Sequence, residues 1–522
     1  MTARERYNQL STARQSFLDK AVRCSELTLP YLITDDVSSK PDHRSLDVPW
    51  QSVGAKCVVT LAAKLMLAVL PPQTSFFKLQ VRDDKLGEQF SPEIRSELDL
   101  SFSKMERMIM DYIAASNDRV AIHQALKHLI VGGNALIYMS KDGLKTFPLN
   151  RFVVNRDGNG NVLEIVTKEL ISRKVLDVEL PESQPNRVAD ETGSEKDDVE
   201  IYTCIKLDKS TGRWIWYQEA FDKVIPNTRS TAPKNASPWL VLRFNTCDGE
   251  DYGRGRVEEF LGDLKSLDGL SQSLIEGAAA ASKVVFLVSP SSTTKPKQIA
   301  EAGNGAIVQG RPEDVGVIQV GKTADFATAA NMAQSIEKRL LEAFLVMNIR
   351  NAERVTAEEV RLTQLELEQQ LGGIFSLLTV ELLIPYLNRI LLVLQRSNQI
   401  PKLPKDIVRP AIVAGVNALG RGQDRESLTA FIGTIAQTLG PEALMQYINP
   451  AEAIKRLAAA QGIDVLNLVK TEQQLQEEKQ MMQQEQTQQS LINQAGQLAG
   501  TPLMDPDKNP QILEQTEQPP EE

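Results

Sequence analysis

Beginning at Arg256, the residues Val257, Phe260, Leu261, Leu264, Leu267, Leu270, Leu274, Ile275 and Ala278 recur at three- and four-residue spacing. That is the signature of one apolar stripe on a helix, and it persists for about thirty residues. At a rise of 1.5 Å per residue it predicts a rod of roughly 40–45 Å. A second stripe follows through Phe326, Ala329, Ala333, Ile336, Leu340, Leu341, Phe344 and Met347. Between them lies a short mixed segment, 284–320, that is neither helical in period nor long enough for a domain. Two long helices bracketing a small globule make a stalk with a knob at its tip.

The rest of the chain must supply the base for that stalk. Residues 1–135 read mostly as helix, with Ser91-Pro92-Glu93 starting one helix and Asn117-Asp118 another that stops near Gly132-Gly133. Residues 134–244 read as strands, with hairpin turns at Gly, Asn, Asp and Lys-Ser positions. A polar insert at 181–200 carries seven acidic and two basic residues and is expected to be a mobile loop. A third long helical pattern runs from Thr356 to Asn398, with Gly372-Gly373 and Pro385 as kink sites. Short helices are expected over 405–470. The last 52 residues hold 14 Gln and ten acidic residues, which suits a solvated helix and a disordered end.

Composition narrows the function. With 42% hydrophobic and 24% charged residues over 522 positions, the chain is long enough for several structural units of ordinary globular type. Its formal net charge is −10, whereas proteins that grip DNA phosphates are usually basic. Cys24, Cys57, Cys204 and Cys247 are far apart, which argues against a zinc ribbon or a disulfide scaffold. The N-terminal residues lack an apolar core for a secretory signal. Lys64, Lys283, Glu381 and Arg389 interrupt the longest apolar runs before about 18 clean residues accumulate, so no membrane span is expected.

Motifs for chemistry are few. Gly316–Thr323 matches the phosphate-loop pattern GxxxxGK[ST] in full, which raises a nucleotide-driven ATPase as the alternative function. Its middle residues, Val317-Ile318-Gln319-Val320, favour strand rather than a loop wrapped round a phosphate, and the match reads as coincidence. Asp157-Gly158-Asn159-Gly160-Asn161 begins like a calcium loop, but Val162 and Lys168 stand where Gly and Glu are needed, so a hairpin turn is expected. His123 and His128 are five apart on a helix and do not share a face for a metal. No catalytic constellation, cofactor or metal is expected. Arg350, Arg354 and Arg361 flank the break between two long helices, where a loop would protrude.

Several blocks resemble the portal, or head-to-tail connector, family of short-tailed bacteriophages. They include Leu70-Pro71-Pro72-Gln73, Gly133-Asn134-Ala135, Tyr252-Gly253-Arg254-Gly255, Gln309-Gly310-Arg311-Pro312 and Ala324-Asp325-Phe326. The clearest is Glu353-Arg354-Val355-Thr356-Ala357-Glu358-Glu359-Val360-Arg361, followed by Glu381-Leu382-Leu383-Ile384-Pro385. The blocks run in order over roughly 1–470.

The resemblance implies an α+β, mainly helical portal fold assembling into a ring, usually of twelve subunits, with an axial channel. It places a wing at 1–253, a first stem helix at 254–283 and a clip at 284–320. A second stem helix at 321–347 leads to a channel loop and kinked wing helix at 348–404, a crown at 405–470 and a C-terminal extension at 471–522. It implies a virion protein at one capsid vertex, assembled in the bacterial cytoplasm, through which double-stranded DNA is packaged and later ejected. Implied partners are the terminase large subunit, scaffolding and major capsid proteins, a tail adaptor and internal core proteins. On this reading Arg350, Asn351, Arg354 and Arg361 face DNA in the channel, and Lys295, Lys297 and Arg311 serve docking on the clip. The acidic balance then suits a conduit, since strong phosphate contacts along its wall would stall sliding DNA.

Overall fold

The computed structural model describes residues 1–35, 46–71, 75–81, 92–172, 198–281, 285–291, 295–301, 315–318, 323–346, 372–401, 408–412 and 421–439, with single positions between 301 and 315. Contacts divide the chain into two units, Met1–Leu419 and Gly420–Glu522. In the second unit the described residues form one helix, Arg421–Leu439.

The first unit opens with helices α1 (Ala3–Glu26) and α2 (Val53–Val69). Thr2 caps α1 in a reciprocal arrangement with Glu5, satisfying two amides that the helix start leaves free. Strand β1 (Phe77–Val81) is followed by α3 (Pro92–Ala115) and α4 (Asp118–Gly132). Pro92 heads α3 as expected. Asn117 precedes α4 but does not cap it, because its Oδ1 accepts instead from the Leu144 N–H at 3.3 Å.

The strand region holds β2 (Asn134–Met139), β3 (Leu144–Phe147), β4 (Phe152–Arg156), β5 (Val162–Ser172), β6 (Asp198–Asp208), β7 (Arg213–Ala220), β8 (Lys223–Val224), β9 (Ser230–Pro233) and β10 (Trp239–Arg243). They form a three-stranded sheet, β10-β2-β3, and a six-stranded sheet, β4-β5-β6-β7-β8 with β9 on β7. Asp198–Glu200, expected at the end of the mobile insert, open β6 because each pairs with β5 from Ser172 to Leu170. The remainder of the insert, 181–197, lies outside the described residues. The β4–β5 turn is the expected hairpin: the Asp157 carboxylate accepts from the Asn159 and Asn161 amides at 3.0 and 2.7 Å. Its Oδ1 is thus occupied by the loop's backbone, and its Oδ2 accepts from the Asn161 side-chain amide at 3.0 Å.

Alternation sorts the six-stranded sheet into two faces. Val153, Val166, Tyr202 and Cys204 bury against Ala3 and Tyr7 of α1. Val154, Ile165, Ile205 and Trp214 point into the main core with α2, α4, β2 and β10. The Ala3 N–H at the positive end of α1 donates to the Glu219 carboxylate at 2.5 Å. At the outer edge of β4, Val154 N–H donates to the Tyr252 hydroxyl and Arg156 N–H to Asp251, so that edge cannot recruit another strand.

After β10 come a single turn, α5 (Arg256–Glu259), and α6 (Leu261–Ala281). The expected thirty-residue rod is therefore broken once, at Phe260, whose N–H bonds back to Val257 and Glu258. Strand β11 (Val285–Val288), α7 (Pro296–Glu301) and β12 (Val315–Ile318) lead to α8 (Thr323–Ala343). Helix α9 (Gly372–Arg396) starts, among the described residues, at the first expected kink site and runs through the second, Pro385; 347–371 lies outside the described residues. Pro385 lacks the N–H that an α-helix would direct at Glu381, and the preceding turn, Thr379–Leu383, widens to π geometry instead of breaking. By length and composition α9 could cross a membrane. Its Leu378, Leu382, Leu383, Tyr386, Leu387 and Ile390 are buried in the main core, as befits a core helix.

Strand β13 (Val408–Ile412) corrects the expectation of helices throughout 405–470: it pairs antiparallel with β1, Val81 opposite Val408 and Phe77 opposite Ile412. Pro410 fits there because a two-stranded ribbon leaves one edge without a ladder partner. That partner strand lies more than three hundred positions away, so no local pattern announces it.

His128 is fully enclosed on α4, and its Nδ1 has no hydrogen-bond partner. Burial, helped by neighbouring Lys127, pushes its imidazole from 6.5 down to about 4. The unfolded chain therefore takes up a proton below pH 6.5 that the folded chain refuses until about pH 4. Stability should fall across that window as pH drops, by about 3 kcal/mol in all. His128→Leu should flatten this slope in urea titrations at pH 7 and pH 4.5. An unchanged slope would contradict it.

Candidate functional site

Helices α6 and α8 form an antiparallel pair. Phe260 packs on Phe344 with ring centroids 5.6 Å apart, Arg339 donates to Asp263 at 2.9 Å, and the Phe326 ring lies against Gly277. Partners thus step in opposite directions along the two helices. Burial is concentrated at the root, in Leu264, Leu267, Ile336, Leu340 and Phe344. Toward the tip no described side chain of either helix is buried from Gly269 on or up to Ser335, so the pair projects as an arm. At the tip β11 and β12 pair antiparallel, Val285 opposite Ile318 and Val288 opposite Val315.

This ladder decides the phosphate-loop match. Gly316, Val317 and Ile318 are strand residues set opposite Leu287, Phe286 and Val285. Successive amides in a strand point to opposite sides, so these three cannot converge on one phosphate. The ATPase alternative has no support. Lys295, Lys297 and Arg311 are exposed in the same tip, and among the described residues Lys297 pairs with Glu301 at 3.8 Å.

Two sequence blocks far apart in the chain meet at the arm's root. Gly133 ends α4 with φ +73°, and a β-carbon there would stand 2.5 Å from the Gly253 carbonyl and the Arg254 backbone. Asn134 closes the contact from both sides, donating to the Gly253 carbonyl and accepting from its N–H, each at 2.7 Å. Arg254 then reaches Glu250 at 2.5 Å and Glu258 at 2.7 Å, and sits over the Phe17 ring. The far end of α8 is held by two cations: Lys64 donates to the Leu345 carbonyl and Arg256 to that of Ala343. Both sit where the helix dipole favours positive charge. Burial lowers the pKa of Lys64.

A second cluster went unrecognised in the sequence. Glu381, in the widened turn of α9, accepts Arg243 through its Nη2 at 2.7 Å, its Nε at 2.9 Å and its backbone N–H at 2.7 Å. Arg156 stands 3.7 Å away with a side chain 3% exposed, and donates to the Gly160 and Asp251 carbonyls. Burial pushes Arg156 down to about 10, with Glu381 opposing the shift. The available signal was Glu381 itself, one carboxylate inside an apolar helical run. Its arginine partners come from separate strands, which no spacing rule connects. Asp118 and Tyr386 form a further buried link, 2.6 Å, between α4 and α9.

Arg350, Asn351, Arg354 and Arg361 lie outside the described residues. Among the described residues no cluster of His, Cys, Asp and Glu could hold a metal ion. Cys24, Cys57 and Cys204 are buried and unpaired, and burial raises all three thiols, Cys24 and Cys57 to about 12.

An α+β base carrying a projecting helical arm is thus the frame that the sequence blocks share. The family of bacteriophage head to tail connecting proteins matches residues 1–467, and the chain belongs to it. Its relatives include the portal protein of Escherichia phage T7, 38% identical over 510 residues, covering 95% of this chain and 93% of the relative. The portal protein of Enterobacteria phage T3 is 38% identical, covering 91% and 89%. That of Pseudomonas phage phiKMV is 30% identical, covering 89% and 91%. Among solved structures, the neck of an empty gene transfer agent particle aligns with a TM-score of 0.35 at 12% identity, over 78% of this chain and 89% of that one. That likeness is too low to carry weight.

Proposed function

We propose that the chain works as a portal: a ring at one capsid vertex through which viral double-stranded DNA enters during packaging and leaves at ejection. The observation that carries this is end-to-end similarity to portal proteins, 38% identity over 95% of the chain. The finer reading assigns α6 and α8 to the stem, the β11–β12 tip to the clip, the base with β13 on β1 to the wing, and the rest of 405–470 to the crown. The ring holds twelve copies in the virion, assembled in the host cytoplasm. Lys295, Lys297 and Arg311 on the clip offer exposed cations to the terminase large subunit during packaging and to the tail adaptor afterwards. Scaffolding, major capsid and internal core proteins meet the other surfaces.

Arg350, Asn351, Arg354 and Arg361 supply the DNA contacts. A net charge of −10 keeps the wall from trapping the duplex, while one arginine per subunit becomes a belt of about twelve charges at one height. Such contacts are screened at cellular salt, so each is transient.

The purified chain should give a closed ring of about twelve subunits by native mass measurement, and a stable monomer at micromolar concentration would count against the portal reading. Arg350→Ala with Arg354→Ala should spare the ring and reduce packaged or retained DNA in particles. Reversing the three clip charges should instead leave the ring and weaken terminase or adaptor binding. Full packaging by the first variant, or unchanged binding by the second, would remove those residue assignments.

A further inference from the structure

One side of the arm carries apolar surface that nothing within the described chain covers. Residues 46–50 run past the base of α6 outside any helix or sheet. Leu46, Val48 and Trp50, at alternate positions, are 37%, 84% and 46% exposed. The ribbon is nonetheless held in place: the Trp50 N–H donates to Asp268 at 2.7 Å, and Gln51 bonds both the Leu27 carbonyl and the Gly54 N–H. A fixed row of exposed apolar side chains marks a contact surface more than a loose loop would.

Its position on the arm says which way it faces. Asp268 lies about 140° round α6 from Asp263, which touches α8, so the ribbon sits on the side of α6 turned away from α8. Ile275, two turns further on that same side, is 51% exposed. In a cyclic ring each subunit meets its neighbours through two different faces, and rotation about the axis keeps contacting residues at equal height. With the arm standing along the ring axis, the α6 side of one subunit meets the α8 side of the next. Asp268 is about one and a half turns from Asp263, and an equal step back from Arg339 reaches the Gln334–Ser335 turn of α8. There Asn331, Ser335 and Lys338 are exposed, Lys338 being turned about 160° from buried Leu340. Asp47 is exposed in the ribbon, and among the described residues Lys338 pairs with Glu342 alone, at 3.9 Å.

We propose that the Leu46–Trp50 ribbon of one subunit docks on the outer face of α8 of a second copy, around Ser335 and Lys338. The Trp50 ring covers the methylene stem of Lys338, and Asp47, at the ribbon's edge, lies within charge range of its ammonium. The seam rests on the ring reading above and deepens it by naming the two unlike faces that the ring brings together.

The test uses the full chain with Cys247→Ser, the other three cysteines being buried. Val48→Cys with Ser335→Cys should give, on oxidation, a ladder of covalent multimers that neither single variant gives. Asp47→Lys should raise the concentration at which the ring dissociates by about tenfold or more, and adding Lys338→Asp should bring it back. Rings that form normally yet yield no covalent ladder, and that ignore Asp47→Lys, would overturn the seam and leave the portal reading intact. A parent chain that stays monomeric would overturn both.

Discussion

Gly133→Ala should be among the most damaging single substitutions in this protein, costing about 2–5 kcal/mol. Two effects combine at that position. An L-residue held at φ +73° carries about 1–2 kcal/mol of backbone strain. The new β-carbon also meets the Gly253 carbonyl and the Arg254 backbone at 2.5 Å, and backbone cannot swing aside as a side-chain tip can. Overpacking of that kind costs about another 1–3 kcal/mol. The lost contact is the one that holds the end of α4 against the approach to α5, so the arm's root should loosen before the six-stranded sheet does. Denaturant midpoints of the purified chain would measure the loss, with Gly158→Ala as the control. Gly158 has no neighbour within 4 Å of its would-be β-carbon and should stay within about 0.5 kcal/mol of the parent. Equal midpoints for the two variants would show that the close approach at Gly133 is not tight in solution.

Glu381→Ala should destabilise by a similar amount for an electrostatic reason. Removing the carboxylate leaves the Arg243 guanidinium, 11% exposed, without its counter-charge, and the Arg156 guanidinium, 3% exposed, with the weaker influence of Asp251. Breaking a buried pair from one side costs about 3–5 kcal/mol, because the remaining charge cannot be rehydrated. The decisive comparison adds Arg243→Met and Arg156→Met to Glu381→Leu. If the cost comes from orphaned charge, the triple variant should recover a large part of the stability lost by Glu381→Ala. If it comes from lost packing of the widened turn in α9, the triple variant should be worse than the single one.

These two sites differ in how far the sequence announced them. Gly133-Asn134-Ala135 and Tyr252-Gly253-Arg254-Gly255 were both visible as blocks, and the structure adds that they touch. Glu381 was visible as a charge in an apolar run, but the arginines that neutralise it were not, since one sits at the end of β4 and the other at the end of β10. Strand β13 is a third instance: Val408–Ile412 has no local reason to be a strand until Phe77–Val81 lies beside it.

The sequence by itself determined the two arm helices, the strand-rich middle and their order. Period sufficed for the two arm helices, because an apolar stripe at helical spacing is a property of neighbours within a turn or two. Strand-favouring residues sufficed to doubt a phosphate loop at 316–323, and the β11–β12 ladder bears that out. Tertiary structure alone decided where Phe260 breaks the first rod, how Pro385 is absorbed by a π turn, and which distant charges and backbones meet at the arm's root. Those outcomes depend on contacts between residues tens to hundreds of positions apart. No window along the chain contains the information that fixes them.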